Sequence, residues 1–232
     1  MQFDKTQPLY IIGDVHGCYK TLCALIEKLP QKWDSQIIFV GDLIDRGKES
    51  CEVIDLVIKN NYACILGNHE ELMLEYYHAL PSNPMRSASV WICNGGHETM
   101  QSYQNNGGYQ KIHEHLDYLL TLPKFLEIDY LDENGLKLFI THGFGLPLYR
   151  ERNERADEIT WNRLRKYNIY KEAAKYYGIF NVFGHDVQEN VLIMDNFAAI
   201  DTGCVYYAKK ENARLSALEW PSKRVFEAAY CG

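Results

Sequence analysis

The sequence has no cysteine arrangement that would bind a metal through thiolates or frame the chain with disulfides. Its seven cysteines are odd in number, scattered over 232 residues and never spaced as Cys-x-x-Cys. It also has no apolar run long enough to span a membrane, and residues 1–14 lack the basic start and apolar core of a secretion signal. From these absences we expect reduced thiols, a cytoplasmic location and no membrane partner.

Positive charge is also in short supply. Lys and Arg number 24 against 31 Asp and Glu, which gives a net charge of −7. Nucleic-acid-binding proteins usually carry a basic surplus, so we expect no nucleic-acid partner. Residues 150–175 are the exception, because eight basic residues there outnumber five acidic ones. We interpret this segment as a solvated helix face, with a cleft rim that attracts an anionic substrate as the alternative.

Hydrophobic periodicity predicts alternating strands and helices in the first third of the chain. Apolar runs at residues 9–12, 37–40 and 62–66 are typical of buried strands. Between them, apolar residues recur at helical spacing from Cys18 to Leu29 and from Val53 to Ile58. This β-α-β-α-β order implies right-handed crossovers and a parallel sheet.

The rest of the chain predicts a second sheet. Residues 71–122 are mainly helical in pattern, and residues 125–143 resemble a hairpin that turns at Asp132 to Gly135. We therefore expect an α/β protein, a four-layer sandwich of two mixed β-sheets flanked by helices, with residues 1–232 forming one domain. Helix breaks are expected near residues 81–84, 94–96 and 105–108, and further strands at 179–184, 191–201 and 213–220.

Polar side chains follow five of these strands at the point where each ends beside a glycine. In an open α/β sheet this edge is where ligands bind, because its loops aim side chains from a rigid scaffold into one crevice. Any one of these residues alone would be an ordinary turn or core residue. Five such strand ends together indicate a site. The residues are Asp14 and His16, Asp42 and Asp45, Asn68 and His69, His142, and His185.

Six of these side chains form a metal-ligand set of oxygens and imidazoles without a thiolate. Such ligands suit Mn²⁺, Fe or Zn²⁺, with manganese as our first choice. Six groups exceed the needs of one tetrahedral ion, so we expect two divalent metal ions, with Asp42 as the bridge and a hydroxide between the ions as nucleophile. The six are Asp14, His16, Asp42, Asn68, His142 and His185.

Three more polar residues at this edge have roles that do not involve metal. His69 follows the proposed ligand Asn68 and could protonate a leaving oxygen, while Asp45 could hold the imidazole in the required tautomer. Arg46 offers a planar guanidinium for two phosphate oxygens. Together with two metals, these groups suit hydrolysis of a phosphate ester.

Three motifs resemble the signatures of a known family. Gly-Asp-Val-His-Gly at 13–17, Gly-Asp-Leu-Ile-Asp-Arg-Gly at 41–47 and Gly-Asn-His-Glu at 67–70 are similar to those of the phosphoprotein phosphatase branch of the calcineurin-like metallophosphoesterases. The pieces "WICNGG" (91–96) and "TWNR" (160–163), with "VFGH" and "AIDTG" further on, are most similar to the bacteriophage lambda and bacterial members of that branch.

This resemblance implies an activity and a role for each site residue. The activity is hydrolysis of phosphorylated serine or threonine in proteins or peptides, with tyrosine as a further candidate, by direct attack without a phosphoenzyme. It implies that His69 is the acid and Asp45 its partner, and that Arg46 and Arg163 grip the phosphate. The first metal would take Asp14, His16 and Asp42, and the second Asp42, Asn68, His142 and His185.

One residue departs from the family pattern. Phe144 stands two positions after His142, where the family leads us to expect a small residue such as glycine. We expect its ring to lie in the cleft wall and to alter substrate preference.

Two other functions remain open. A diadenosine-tetraphosphate hydrolase would share fold and metals, although its best-known branch has Ala-Arg-Gly and Asn-His-Asp where this chain has Asp45-Arg46-Gly47 and Asn68-His69-Glu70. A catalytically dead binding module on the same fold is the second, and it has no need of the acid and arginines.

Three further patterns suggest functions that we reject. The sequence from His69 to Met73 begins like a zinc-protease helix but lacks the second histidine. Asp201-Thr202-Gly203 matches an aspartic-protease tripeptide, yet only one copy is present, so we interpret it as a turn that closes a strand. His113 and His115 do not share a helix face, so we expect surface residues.

Overall fold

Two five-stranded sheets form the centre of the molecule in the computed structural model, which describes residues 3–78, 89–175 and 177–232. The first sheet has the order β10-β9-β1-β2-β3 and the second the order β4-β5-β6-β8-β7. Both combine parallel and antiparallel neighbours, as the sequence predicts. The strands are β1 Leu9–Ile12, β2 Gln36–Phe39, β3 Ala63–Cys64, β4 Phe125–Leu131, β5 Lys137–Thr141, β6 Ile179–Phe183, β7 Leu192–Ile193, β8 Phe197–Ala199, β9 Arg214–Trp220 and β10 Val225–Ala229.

Helices cover the outer faces of the sheets. Their longest member, α6, is amphipathic and buries its apolar side. None of the helices in residues 3–78, 89–175 and 177–232 is long and apolar enough to cross a membrane. The helices are α1 Tyr19–Ile26, α2 Ser50–Lys59, α3 Asn68–Tyr76, α4 Ser89–Trp91, α5 His97–Asn105, α6 Gly108–Leu120, α7 Ala156–Trp161 and α8 Ile169–Ala173.

The apolar side chains form three buried clusters between the four layers. Side chains alternate along β1, so this strand contributes to two of the clusters. Leu9 and Ile11 face the second sheet, while Tyr10 and Ile12 face the helices. A third cluster, containing Phe139, covers the outer face of the second sheet. The predicted sandwich of two mixed sheets flanked by helices is therefore confirmed.

The predicted parallel segment is also confirmed. β1 pairs in parallel with β2, and β2 with β3, so their carboxyl ends meet at one edge. In the second sheet β5 and β6 run parallel, which brings the carboxyl ends of these two strands together as well.

Some predicted elements differ in detail. The strand predicted at 191–201 is two short antiparallel strands, β7 and β8, because Met194 N–H bonds back to the Phe197 carbonyl in a turn. β10 was not predicted, and its alternating residues are only partly buried because it is an edge strand. The break expected near 81–84 lies outside the described residues, while those near 94–96 and 105–108 are present.

Candidate metal centre and phosphate site

The sequence-predicted residues come together at the carboxyl ends of β1, β2, β3, β5 and β6. A cavity of about 580 Å³ opens there. Asp45 and His142 lie fully buried behind the others. The predicted residues that line the cavity are Asp14, His16, Asp42, Arg46, Asn68, His69, Arg163 and His185.

Asp42 lies between two groups of potential ligands. Its Oδ2 is 3.5 Å from His16 Nε2, and its Oδ1 is 3.3 Å from His142 Nε2. One group joins Asp42 with His16 and His69, and the other joins Asp42 with His142 and His185, with the ligand atoms of each group within 4.8 Å of one another. Asp42 is therefore placed to serve two cations at once.

Backbone carbonyls fix the orientation of two histidines. His16 Nδ1 donates to the Ile44 carbonyl and His142 Nδ1 to the Val40 carbonyl, each at 2.8 Å. Each bond leaves Nε2 turned towards Asp42, an arrangement typical of metal-ligating histidines.

His185 supplies a further imidazole. Its Nε2 is buried and has no hydrogen-bond partner among the described residues. Burial and the neighbouring His142 lower the pKa of His185 to about 2, which keeps the ring neutral as a ligand must be.

The remaining two predicted ligands adjoin these histidines. The Asp14 carboxylate accepts the His185 N–H at 3.1 Å, and a Cβ at Gly184 would lie 2.0 Å from Asp14 Oδ1, so only glycine permits this approach. Asn68 Oδ1 lies 2.8 Å from His142 Nε2.

The charges in this cluster fit a bound cation. Burial favours neutral His142, but the Asp42 carboxylate outweighs burial and raises the pKa of His142 to about 10. The Asp42 carboxylate thus favours positive charge beside it. Burial and the nearby Asp201 raise the pKa of Asp14 well above its ordinary value, which a cation at that carboxylate would reverse.

His69 and Asp45 form a buried dyad. His69 Nδ1 donates to Asp45 Oδ2 at 2.6 Å, so its Nε2 is the atom left to face the cavity. That Nε2 is 3.9 Å from Asp42 Oδ2, which explains why geometry alone groups His69 with the ligands.

Two arginines flank the cavity. Arg163 Nη1 donates to Asp186 Oδ1 at 3.2 Å and to the His185 carbonyl at 3.3 Å, and its side chain is 36% exposed. Arg46 contacts His16 Nε2 through its guanidinium. Both arginines line the cavity.

Several site residues have a left-handed backbone conformation that L-residues rarely adopt. Hydrogen bonds from the backbone N–H groups of these residues to other parts of the chain stabilise this conformation. These residues are His16 (φ 46°), Asp42 (φ 50°), Asp45 (φ 72°), Arg46 (φ 68°) and His185 (φ 63°).

Glu70 was not predicted as a functional residue, yet it holds the Asp42 loop. Its buried carboxylate accepts the N–H groups of Asp42 and Leu43 at 2.8 Å, of Gly67 at 3.0 Å and of Ile44 at 3.3 Å. Burial and Asp42 raise the pKa of Glu70 to about 7. The signal was available, because Glu70 is the last residue of the Gly-Asn-His-Glu motif.

Three expectations about individual residues need correction or extension. Phe144 is fully buried among Phe183 and Phe197, so its ring belongs to the outer core and not to the cleft wall. His115 is not a surface residue, because it is 1% exposed and bonded to the Tyr103 hydroxyl at 2.7 Å. Asp201 forms the predicted turn with the Gly203 N–H but also lines the cavity.

In the basic segment at 150–175, some residues fit the solvated helix face and others fit the cleft rim. Arg155 pairs with Glu151 and Glu158 on the surface, as expected of a solvated face. Arg163 and Arg165 line the cavity, as the alternative requires.

Comparison with known proteins identifies the family. The profile of the calcineurin-like phosphoesterases matches residues 7–221, so the chain belongs to that family and is a phosphoesterase. The family implies divalent metal ions, and the two ligand groups around Asp42 are suited to hold them.

Its relatives carry two kinds of name. The chain is 29% identical over 202 residues to serine/threonine-protein phosphatase 2 of Escherichia coli (strain K12), covering 84% of this chain and 87% of the relative. It is 30% identical over 258 residues to the asymmetrical bis(5'-nucleosyl)-tetraphosphatase PrpE of Halalkalibacterium halodurans, covering 95% and 91%. A crystal structure of a proposed diadenosine tetraphosphatase superposes with a TM-score of 0.69 at 20% identity, covering 98% of this chain and 96% of the other, and shows the same fold.

Proposed function

We propose that this protein is a cytoplasmic phosphomonoesterase that uses two divalent metal ions to dephosphorylate serine and threonine side chains of proteins or peptides, with phosphotyrosine as a further substrate. The observation that carries the proposal is the dyad. His69 Nδ1 is held by Asp45 at 2.6 Å, so a proton donor distinct from the predicted ligands faces the cavity beside Asp42.

The ligand set divides between the two sites around Asp42. Asp14, His16 and Asp42 would hold one ion, while Asp42, Asn68, His142 and His185 would hold the other. Two divalent ions there would activate water and neutralise charge that develops on the phosphoryl group. We propose manganese, with iron and zinc as alternatives.

The remaining residues bind and protonate the substrate. Arg46 and Arg163, which both line the cavity, offer planar donors to the phosphate oxygens. His69 Nε2 gives a proton to the leaving oxygen, while Asp45 keeps the ring in the orientation this transfer needs.

Hydrolysis of diadenosine tetraphosphate is the second candidate. It is favoured by the relatives named for that activity, which align with 91–95% of this chain. The motif residues Asp45 and Glu70 favour the protein phosphatase, since the best-known branch of the tetraphosphate hydrolases has Ala-Arg-Gly and Asn-His-Asp in place of Asp45-Arg46-Gly47 and Asn68-His69-Glu70. A binding module without catalysis is disfavoured by the intact dyad.

A substrate panel separates the three candidates. A phosphoserine peptide, a phosphotyrosine peptide, diadenosine tetraphosphate and 4-nitrophenyl phosphate would be tested with added Mn²⁺ and with a chelator. We expect the phosphoserine peptide and the aryl phosphate to be hydrolysed only with metal. Preference for the dinucleotide would replace the first candidate with the second, and no turnover on any substrate with metal bound would indicate a binding module.

A further inference from the structure

The Asp45 carboxylate has two side-chain partners besides His69. Trp91 Nε1 lies 3.0 Å from Asp45 Oδ2 and 3.1 Å from Oδ1, and Thr99 Oγ1 donates to Oδ1 at 2.7 Å. Asp45, Trp91 and Thr99 are all buried. The carboxylate is therefore surrounded by donors on both oxygens.

The direction of each bond can be followed through this network. Trp91 has only a donor, and Thr99 Oγ1 accepts the Asp45 backbone N–H at 2.9 Å while its proton goes to the Asp45 carboxylate. Ser50 Oγ, 3.0 Å from Thr99 Oγ1, can supply Thr99 with a second donor. The indole and hydroxyl donors thus favour the ionised carboxylate of Asp45, which stabilises the arrangement in which His69 Nδ1 donates to it.

Trp91 and Thr99 come from a part of the chain remote from the three motif loops. They flank the helical turn at Ile92–Gly96, which also touches the loop of the dyad, because the Gly95 carbonyl accepts the Arg46 N–H at 3.2 Å. Trp91 is fixed in turn by Tyr76 and Tyr77, whose ring centroids lie 4.8 and 5.7 Å away.

From this geometry we infer that Trp91 and Thr99 are positioning residues, which hold Asp45 so that His69 Nε2 is aimed at the leaving oxygen. The stretch from Trp91 to Thr99 therefore takes part in orienting the proposed proton donor. This inference rests on the proposed function, since Trp91 and Thr99 would act through Asp45 on the proposed acid His69.

The test uses substitutions that remove one donor and keep the shape. Trp91→Phe removes the indole N–H, and Thr99→Val removes the hydroxyl. In each we expect the turnover of a phosphoserine peptide to fall about tenfold. Hydrolysis of 4-nitrophenyl phosphate, whose leaving group departs without a proton, should change by less than about twofold. Metal content should equal that of the wild type, and Thr99→Ser should restore the peptide rate.

Matched controls separate positioning from a general loss of stability. Trp220→Phe removes a buried indole bond to the Tyr130 carbonyl, and Thr21→Val removes a buried hydroxyl from α1. We expect neither to change the ratio of peptide to aryl phosphate rates. Added to His69→Asn, Trp91→Phe should have no further effect, because the proton donor is already gone.

The outcomes identify which claim has failed. Equal losses on both substrates, no loss at all, or a full additional loss in the His69→Asn background would overturn the roles of Trp91 and Thr99. Wild-type protein that hydrolyses neither substrate with metal would instead overturn the proposed function, and this inference with it.

Discussion

At the level of single residues, substitution of His69, the proposed acid, would distinguish acid catalysis from metal binding. His69 is assigned no ion, so His69→Asn should retain both metals and lose about a hundred- to ten-thousand-fold in turnover of a phosphoserine peptide. The loss on 4-nitrophenyl phosphate should be much smaller, and Asp45→Asn should show the same bias more weakly. Loss of an ion from the His69 variant would make it a ligand, as its grouping with His16 and Asp42 allows.

Asp42 is the residue whose loss should do most harm to metal binding. It contacts both ligand groups, so Asp42→Asn should lower the content of both ions, whereas His16→Ala should lower only one. Metal analysis after dialysis measures this directly. Retention of one full equivalent in Asp42→Asn would count against a bridge.

At the level of structural elements, the loop that carries Asp42 depends on the buried side chain of Glu70. Glu70→Gln replaces a carboxylate that accepts four backbone N–H groups with an amide that turns a donor towards some of them. We expect a loss of about 2 to 3 kcal/mol in unfolding free energy and weaker metal binding. Thermal unfolding should show a fall in Tm of roughly 5 to 10 °C.

A matched acidic variant checks this result. Glu52→Gln alters a carboxylate that accepts from Ser102 and Asn106 but does not touch the site. Its effect on metal binding should be absent. A Glu70→Gln protein with unchanged Tm and metal affinity would show that the Asp42 loop holds its own conformation.

The site residues at strand ends could be predicted from the sequence. The long-range side-chain contacts that hold them in place could not. Asp14, Asp42 and His185 each follow an apolar run and a glycine, which is a local pattern, so their convergence follows from the sheet. Trp91 reaches Asp45 across 46 positions, and Asp201 approaches Asp14 from another sheet. Phe144 was misplaced for the same reason, since the side on which a ring packs depends on Phe183 and Phe197.

For the molecule as a whole, the proposed metal centre would join the two sheets. Asp14, Asp42 and Asn68 follow strands of the first sheet, while His142 and His185 follow strands of the second. Metal at about a hundred times its dissociation constant should add about 2.7 kcal/mol of stability. We expect Tm to rise by roughly 5 to 10 °C when Mn²⁺ is added to stripped protein, and Asp42→Asn to lose that rise. An unchanged Tm in the wild type would argue against binding to the folded state.

A salt bridge far from the site also joins the sheets and should respond to pH. Lys223 Nζ donates to Asp132 Oδ2 at 2.7 Å, linking the β9–β10 turn to the β4–β5 turn. Burial disfavours ionised Asp132, but the bonds from Lys223 and the Leu136 N–H outweigh it and lower the pKa of Asp132.

Because the folded-state pKa is lowered, this contribution is present above the unfolded value and is lost as the pH falls through the folded value. Asp132→Asn should therefore be less stable than wild type by about 1 kcal/mol at pH 7. The difference should shrink from about pH 5 downwards. A difference that stays constant from pH 7 to pH 2 would mean that the charge of Asp132 does not contribute.

The left-handed backbone conformations of the site lower the stability of the fold at residues that the proposed activity needs. These residues are His16, Asp42, Asp45, Arg46 and His185. Each such residue costs about 1 kcal/mol or more, and glycine would adopt the same backbone angles without that penalty. A library of variants sorted only by survival at high temperature, without added metal, would thus favour glycine at these positions wherever the relief of backbone strain exceeds the loss of the side-chain bonds. Directed evolution of this protein needs a turnover assay in every round, because selection for thermal stability alone does not require that the proposed ligands, the dyad and the arginine are kept.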